Sequence, residues 1–383
     1  MITLIALLAI VGAMVIIWRA SDGFETASEY LGRNLSDGVR GATINAIGSS
    51  MPELFTTLFG LILLGHVDNF AFGIGTTAGS AIFNGMIIPA VVIFAVIGFG
   101  IAKRVNVSKK VILRDGLSLV AAEFILIFLI SGNTLYWWHG VILMLTYAAY
   151  VIIMLKTMTV SEESEDSDED DEEGSQSNRG FLLSLLTLDL ESLIIGQREL
   201  KSKNAWWLLI VAMLVIGAAC IGLVEACEAL AGEMGLAPYF IAVVLASAAT
   251  SVPDTILSYR DAMDGQYDDA VANALGSNIF DICFALGFPL FLYTIVYGPI
   301  EMGAETVQNV AELRISLLIL TSLAFIVYYF NKGMGRLQGL LLLAMYFIFT
   351  VFVFAKGYNF PWAVEFGELL NLKLNSFRSL IGI

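Results

Sequence analysis

Residues 41–54 read GATINAIGSSMPEL, which places hydroxyls, an amide, a proline and a carboxylate inside a long apolar run. A near-copy, VLASAATSVPDT, occurs in the second half of the chain at 244–255. In both stretches, two hydroxyl residues, one apolar residue, a proline and an acid follow in the same order. Polar groups are costly within membrane-spanning sequence and usually mark functional sites. A duplicated element of this kind indicates an ion site built where two internal repeats meet.

The composition is that of a polytopic membrane protein. Of the 383 residues, 58% are hydrophobic and 14% are charged, an apolar excess too large for a soluble core of this size. The net charge of -15 argues against nucleic-acid binding. Three cysteines, Cys220, Cys227 and Cys283, lie in apolar segments without metal-ligand spacing. We interpret them as packing residues.

Hydropathy predicts ten membrane-spanning helices, five on each side of a strongly acidic stretch. The first has no positive charge before Arg19, which favours a retained helix over a cleaved signal peptide. The predicted spans lie at about 2–18, 39–64, 71–98, 111–130, 136–156, 205–231, 237–260, 268–298, 313–330 and 338–355.

The distribution of Lys and Arg predicts that the N-terminus and the C-terminus both lie outside. With the N-terminus outside, sixteen of the 20 basic residues fall on the inner side, as the positive-inside rule expects. Because each half has five helices, the second half enters the membrane in the opposite direction. The fold class we predict is therefore an all-α polytopic membrane protein with ten transmembrane helices in two inverted five-helix repeats.

The predicted organisation has four parts. Residues 1–156 form the first five-helix repeat and residues 204–356 form the second. Between them, 157–203 is a cytoplasmic loop in which the acidic run 161–173 cannot bury enough apolar surface to fold alone. An amphipathic segment that lies on the membrane surface follows the acidic run. The tail at 357–383 mixes Phe, Trp and Leu with polar residues, and its place is left open.

Each polar element is expected to break its helix. Pro52 and Pro253 remove a backbone donor and clash with the preceding turn, which frees carbonyls around 46–48 and 247–249. In lipid, unpaired backbone groups survive only where they are buried in protein or line a polar cavity. Hydroxyls three or four residues before each acid share one helical face with it. These hydroxyl residues are Ser49, Ser50, Thr250 and Ser251, and the acids are Glu53 and Asp254.

A second polar segment follows each element in the next predicted helix. Ser80 and Asn84 are four residues apart, as are Ser277 and Asp281. The candidate ligands of both segments include no His, Cys or Lys, which suits sodium and calcium and argues against zinc, copper or iron. A Ser/Gly face for close packing does not easily account for three acids duplicated in register with proline breaks. Glu123, in another predicted span, has no assigned role, and we expect it to be paired or to snorkel.

These motifs resemble the alpha repeats of the cation/calcium exchanger (CaCA) superfamily. The first alpha repeat corresponds to 41–57 with 75–84, and the second to 244–258 with 273–281. The run GSSMPE at 48–53, together with the two downstream aspartates, is similar to the potassium-dependent sodium/calcium exchanger branch. Related calcium/proton exchangers usually carry an Asn-Ala-x-Glu element at this place, which favours sodium coupling here.

The resemblance implies that calcium binds between Glu53 and Asp254, and that sodium binds at nearby hydroxyls, amides and backbone carbonyls. Most sodium/calcium exchangers have Glu where this chain has Asp254, so the shorter side chain is expected to alter ion size preference or stoichiometry. The complete set of candidate metal ligands is Glu53, Asp254, Asp281, Asn84, Ser49, Ser50, Ser80, Thr250, Ser251, Ser277, Ala46 and Ser247.

The predicted function is secondary active antiport of sodium for calcium by alternating access, with potassium co-transport left open. Calcium/proton exchange is the alternative within this class, and a calcium-permeable cation channel is the alternative from another class. No nucleophile–base pair or nucleotide motif suggests an enzyme. The expected partners are calcium and sodium ions and the lipid bilayer, with no covalent cofactor and no nucleic acid. We expect a monomeric integral membrane protein of a prokaryotic plasma membrane.

Overall fold

The computed structural model describes residues 2–33, 46–63, 69–159, 184, 187–196, 198–330 and 333–380. The acidic run 161–173 and the first part of the first polar element, 41–45, lie outside these ranges. So does the side chain of Ala46, although its backbone is placed in a helix.

Within the described ranges, the regular elements of the first half are helices and one two-residue strand. Its elements are α1 (Ile2–Leu31), α2 (Ala46–Ser49), α3 (Met51–Leu63), α4 (Asn69–Gly98), α5 (Lys109–Leu129), β1 (Thr134–Leu135) and α6 (Trp137–Thr159).

The described part of the second half includes two π-helical turns, at Ala242–Ala246 and Asp281–Ala285. Its other elements are α7 (Leu190–Ile194), α8 (Ser202–Met234), α9 (Pro238–Ile241), α10 (Ser247–Thr250), α11 (Val252–Met263), α12 (Tyr267–Phe280), α13 (Leu286–Tyr297), β2 (Ile300–Glu301), α14 (Ala304–Phe330), α15 (Arg336–Gly357) and α16 (Pro361–Leu380).

The long apolar helices confirm a polytopic membrane protein. Within the described ranges, seven helices are long and apolar enough to cross a membrane, and a bent pair, Pro238–Thr250 with Val252–Met263, makes up to eight. Of the remaining predicted spans, α3 is a shorter apolar helix of 13 residues, and the start of that span lies outside the described residues. Helix α5 carries Arg114, Asp115 and Glu123 among its apolar residues. The count of ten therefore stays a prediction.

Helix α1 extends well beyond its predicted end, and the tail, whose place was left open, forms a further helix. Helix α1 continues past residue 18 to Leu31 because its polar residues find partners: Arg19 donates to the Thr187 carbonyl at 2.7 Å, and Asp22 accepts from Arg260 at 3.0 Å. The tail forms α16, which is held to α14 through the Asn371 amide and the Glu312 carboxylate, 3.0 Å apart.

Helices α1 and α8 form a long antiparallel pair. At one end the Thr3 hydroxyl contacts the Glu233 carboxylate at 3.5 Å, and at the other Gly23 lies against Leu208. The buried residues of α1 recur every three or four positions, as one packed helix face requires. They are Ala6, Ile10, Ala13, Ile17 and Ala20. The three cysteines are free and buried, in accord with a packing role.

The remaining long helices surround α4 and α12. Helix α4 crosses the first π-helical turn so closely that a Cβ at Gly79 would overlap the Val243 carbonyl oxygen. Two backbone pairings between linkers join the first half of the chain to the second. Strand β1 pairs with β2, and Val105 exchanges backbone hydrogen bonds of 2.9 and 2.7 Å with Met334. These two pairings lie beyond opposite ends of α5, so the halves are tied at both ends of the bundle.

Candidate ion-binding site

The two prolines break their helices as predicted. Helix α2 ends at Ser49 and α3 begins at Met51, while α10 ends at Thr250 and α11 begins at Val252. Each break leaves one serine, Ser50 or Ser251, in a turn between the two helices. Across the second break the helix axes bend by 41°. Both acids thus lie in the first turn of the helix that follows the break.

The second polar segments lie on α4 and α12. Ser80 and Asn84 are one turn apart on α4, and Ser277 lies on α12. Asp281 begins the second π-helical turn. Such wide turns are rare in proteins, and those that occur often lie at functional sites. A wider turn changes the direction in which its side chains point.

Ser80 joins the two halves of the site. Its Oγ lies 3.1 Å from Glu53 Oε1, 2.9 Å from Asp281 Oδ2 and 2.9 Å from the Ser251 hydroxyl. Since a hydroxyl has one hydrogen to donate, it cannot serve both carboxylates and Ser251 as donor at once. The contacts around Ser80 therefore require a further proton or a cation.

Asp254 has a donor on each carboxylate oxygen. The Ser277 hydroxyl donates to Oδ1 at 2.7 Å, and the Asn84 amide donates to Oδ2 at 3.0 Å. The same amide lies 3.4 Å from Ser80 Oγ, so Asn84 connects Asp254 to the contacts around Ser80. We call these side chains the polar cluster: Glu53, Ser80, Asn84, Ser251, Asp254, Ser277 and Asp281.

Several oxygens of the polar cluster have no donor. Every member of the cluster is 0% exposed. Among the described residues, Glu53 Oε2, Asn84 Oδ1 and Asp281 Oδ1 have no hydrogen-bond partner. A buried oxygen without a partner costs about 1–3 kcal/mol, and more if charged. Three such acceptors at one place suit a bound cation.

The hydroxyls of the two breaks face the same cluster. Ser49 faces Asp254, Ser50 faces Asp281, and Thr250 faces Glu53. The structure therefore gathers the predicted side-chain ligands from both halves of the chain.

The Ser247 carbonyl, a predicted ligand, already has hydrogen-bond donors. It accepts the Ser251 N–H at 3.0 Å and the Thr250 hydroxyl at 3.1 Å, so both of its lone pairs are used. The reason is helical spacing, because Pro253 deprives the residue four positions earlier, Ala249, of its donor. Ser247 keeps its own donor, and its hydroxyl bonds to the Val243 carbonyl at 2.7 Å.

The three carboxylates are spaced apart by neutral groups. No three acidic, histidine or cysteine side chains within the described ranges approach one point closely enough to hold a metal ion. Ser80 lies between Glu53 and Asp281, and Asn84 links Ser80 to Asp254. The three carboxylates are thus connected to one another through the hydrogen bonds of Ser80 and Asn84.

Two asparagines near the cluster were missed by the sequence analysis. Asn278 donates to the Ala81 carbonyl at 3.0 Å, which holds α12 against α4. Asn273 donates to the Ser258 hydroxyl at 3.1 Å, which holds α12 against α11. The sequence does contain a signal for Asn278. It lies inside the run GSNIFD, and the corresponding run of the first half, GSAIFN, has Ala81 at that position.

Glu123 lies outside the polar cluster. It is 0% exposed, and neither carboxylate oxygen has a hydrogen-bond partner among the described residues. Thr321 of α14 is a polar side chain that faces it. Thr321 is in accord with the expected buried partner, whereas the expectation of a snorkelling side chain is wrong because Glu123 is 0% exposed.

Comparisons with known proteins agree with this architecture. A mouse (Mus musculus) protein named Sodium/potassium/calcium exchanger 4 is 34% identical over 125 residues, which cover 33% of this chain and only 19% of that protein. The solved structure of the sodium-calcium exchanger NCX_Mj, soaked with Na⁺ and Sr²⁺, has a TM-score of 0.54 and 22% identity, with 90% of this chain and 97% of that chain covered. A structure named H⁺/Ca²⁺ Exchanger CAX has a TM-score of 0.58 and 16% identity, with 96% and 91% covered.

The family comparison covers both halves of the chain. The family described as sodium/calcium exchanger protein matches residues 5–156 and 204–355. Both matched segments include one broken helix and the polar helix that follows it. The chain therefore belongs to the sodium/calcium exchanger protein family.

Proposed function

We propose that this protein is a secondary active antiporter that exchanges sodium for calcium by alternating access. The observation that carries the proposal is the polar cluster: three buried carboxylates, with hydroxyls from both halves of the chain, the Asn84 amide, and oxygens that lack donors among the described residues. Hard cations such as calcium prefer an all-oxygen set of this kind. Membership of the exchanger family supports calcium exchange as the general activity.

Sodium is the coupling ion we favour. The hydroxyls of Ser80, Ser251 and Ser277 surround the carboxylates, and they supply neutral oxygens for a monovalent cation. The name of the mouse relative also includes sodium. The fold does not discriminate, because the chain resembles both a sodium-calcium and a proton-calcium exchanger.

The negative charge of the three carboxylates explains how the transport of sodium would be coupled to that of calcium. Carboxylates brought together in a low-dielectric site repel one another unless cations or protons neutralise them. Calcium and sodium would compete for the same oxygens of Glu53, Asp254 and Asp281. A carrier that changes conformation readily only when the site is filled would then exchange one ion for the other.

Potassium co-transport and calcium/proton exchange are the refinements that need a direct test. Asp281 supplies a third carboxylate that one calcium ion bound between Glu53 and Asp254 does not require, and this favours an additional monovalent cation. The contacts of Ser80 with two carboxylates favour bound protons as the alternative.

We also propose the inverted five-helix repeats on structural grounds. The antiparallel packing of α1 against α8, and the pairing of linkers at both ends of the bundle, are what an inverted duplication would produce.

The coupling ion can be tested with purified protein in liposomes. Vesicles loaded with sodium are diluted into calcium buffers with and without potassium, and a pH gradient without sodium serves as the comparison. We expect calcium uptake to require internal sodium. Uptake driven by the pH gradient alone would overturn the sodium proposal and favour calcium/proton exchange.

A further inference from the structure

A small polar cavity lies beside the polar cluster, between α1, the first helix break and α11. Its volume is about 20 Å³, which is enough for one water molecule. We call it the side cavity, and the residues that matter to its chemistry are Ser21, Asp22, Glu25, Ser49, Pro253 and Arg260.

One end of the side cavity reaches the polar cluster. Ser49 lines the cavity and also faces Asp254, while Pro253 directly precedes that aspartate. The Ser49 hydroxyl therefore lies between the side cavity and the carboxylate of Asp254.

The other end is closed by an arginine and two acids. Arg260 of α11 lies 3.0 Å from an Asp22 oxygen and 3.8 Å from a Glu25 oxygen, both on α1. The Arg260 side chain is 49% exposed, and both acids are 25% exposed. The ion pairs thus connect α1 to the helix that begins at the second break, at the boundary between solvent and the side cavity.

The wall between these ends carries polar groups without partners. Ser21 is 7% exposed, and its hydroxyl has no hydrogen-bond partner among the described residues. The indole N–H of Trp18, also in the wall, has none either. Buried polar groups are nearly always paired with protein or water, so such a wall suits a hydrated path. Phe24 restricts the space nearby, since a Cβ at Gly48 would lie 2.8 Å from its ring.

We propose that the side cavity is the passage for cations between the polar cluster and the membrane face at which Arg260 lies, and that Arg260 with Asp22 and Glu25 is its gate. The identity of the ions rests on the proposed function. When the pairs are formed, the guanidinium repels cations from the passage. When they separate, two carboxylates become free to attract cations toward Ser49. Ion pairs between partly exposed side chains are weak enough to break and re-form.

Cysteine labelling tests this gate without requiring transport. Ser21→Cys places a thiol in the cavity wall, and a cationic, membrane-impermeant methanethiosulfonate reagent is applied to inverted and right-side-out vesicles. The native cysteines are each 0% exposed, so the unmodified protein gives the background. Adding Arg260→Gln should raise the labelling rate at least about threefold, from inverted vesicles only. Adding Arg260→Lys retains the positive charge and should leave the rate close to that of Ser21→Cys alone.

Arg19→Gln is the matched control. Arg19 also bonds to Asp22, at 2.9 Å, but it does not line the side cavity. An equal increase in labelling with Arg19→Gln, no increase with Arg260→Gln, or equal labelling from both faces would overturn the gate. Faster labelling in the Arg260→Gln background supports the gate even in vesicles that take up no calcium. Failure of the proposed function is seen separately, in the uptake assay with unlabelled protein.

Discussion

Ser80 is the residue at which the contacts of the polar cluster meet. Its hydroxyl lies within 3.1 Å of Glu53 and within 2.9 Å of both Asp281 and Ser251. These contacts come from three segments, namely α3, the turn of the second break and the second π-helical turn, so the hydroxyl positions both carboxylates relative to the second break. Its small size also matters, because α4 approaches the neighbouring helix most closely beside it, at Gly79.

Ser80→Ala should weaken sodium binding without unfolding the protein. It removes one oxygen ligand and leaves Glu53 Oε1 and Asp281 Oδ2 without their described contact. The sodium concentration that half-activates calcium uptake should rise by about tenfold. Thr77→Ala is the matched control, because this buried hydroxyl bonds only to carbonyls of its own helix. Equal sodium dependence in the two variants would contradict the role of Ser80.

At the scale of single residues, the side chains that meet in the polar cluster were easier to predict than the hydrogen-bond partners of backbone carbonyls. The spacing of hydroxyls and acids around each proline predicted which side chains would meet. The hydrogen bonds that the Ser247 carbonyl accepts were not predictable, because the sequence shows a broken helix without showing which donors survive. The surroundings of Glu123 were also hidden, since they depend on side chains that α14 presents.

At the scale of elements, close approach of α4 to the first π-helical turn holds the site together. A Cβ at Gly79 would overlap the Val243 carbonyl and would lie 2.9 Å from the Ser247 side chain. Backbone cannot move aside as a flexible side chain can, so the two segments would have to separate.

Gly79→Ala should therefore destabilise the protein and impair uptake. Overpacking in a tight interior typically costs about 1–3 kcal/mol, so a clear fall in the thermal unfolding temperature is expected. Gly98→Ala, at the end of the same helix, has no atom within 4 Å of the added Cβ and should be tolerated. The measurement is thermal unfolding of both purified variants in detergent. Equal stability of the two variants would show that the close approach is not needed.

The sequence predicted both helix breaks because proline acts locally. The two π-helical turns were not predictable, since they carry no comparable local signal. The extension of α1 to Leu31 was missed because the apolar run ends at the first charged residues. In the structure, Arg19 and Asp22 form hydrogen bonds with residues far along the chain, and the helix continues past them. Helix α16 was left open for the same reason, because its anchor, Glu312, lies in another helix.

At the scale of the whole molecule, the repeated motifs and the hydropathy pattern were enough to predict a polytopic helical membrane protein and its family. The relative placement of the halves needed the structure. The linker pairings and the α1–α8 contacts join residues that no local pattern relates.

Lower pH should inhibit calcium uptake by the intact carrier. Protons and cations compete for the same carboxylate oxygens of Glu53, Asp254 and Asp281, and a protonated carboxyl is a poorer cation ligand. Uptake measured at equal pH on both sides should fall steadily as the pH is lowered. A higher external calcium concentration should restore part of it. Uptake that rises on acidification would contradict this competition.

The central claim, that the polar cluster is the exchange site, is tested most directly by charge-neutralising variants in the sodium-gradient uptake assay. Glu53→Gln and Asp254→Asn should each reduce sodium-driven calcium uptake at least about a hundredfold, because each leaves a buried charged site short of one partner. Glu123→Gln is the matched control, since it removes another fully buried carboxylate outside the polar cluster, and it should retain uptake. Wild-type uptake by either cluster variant in folded form would contradict the account.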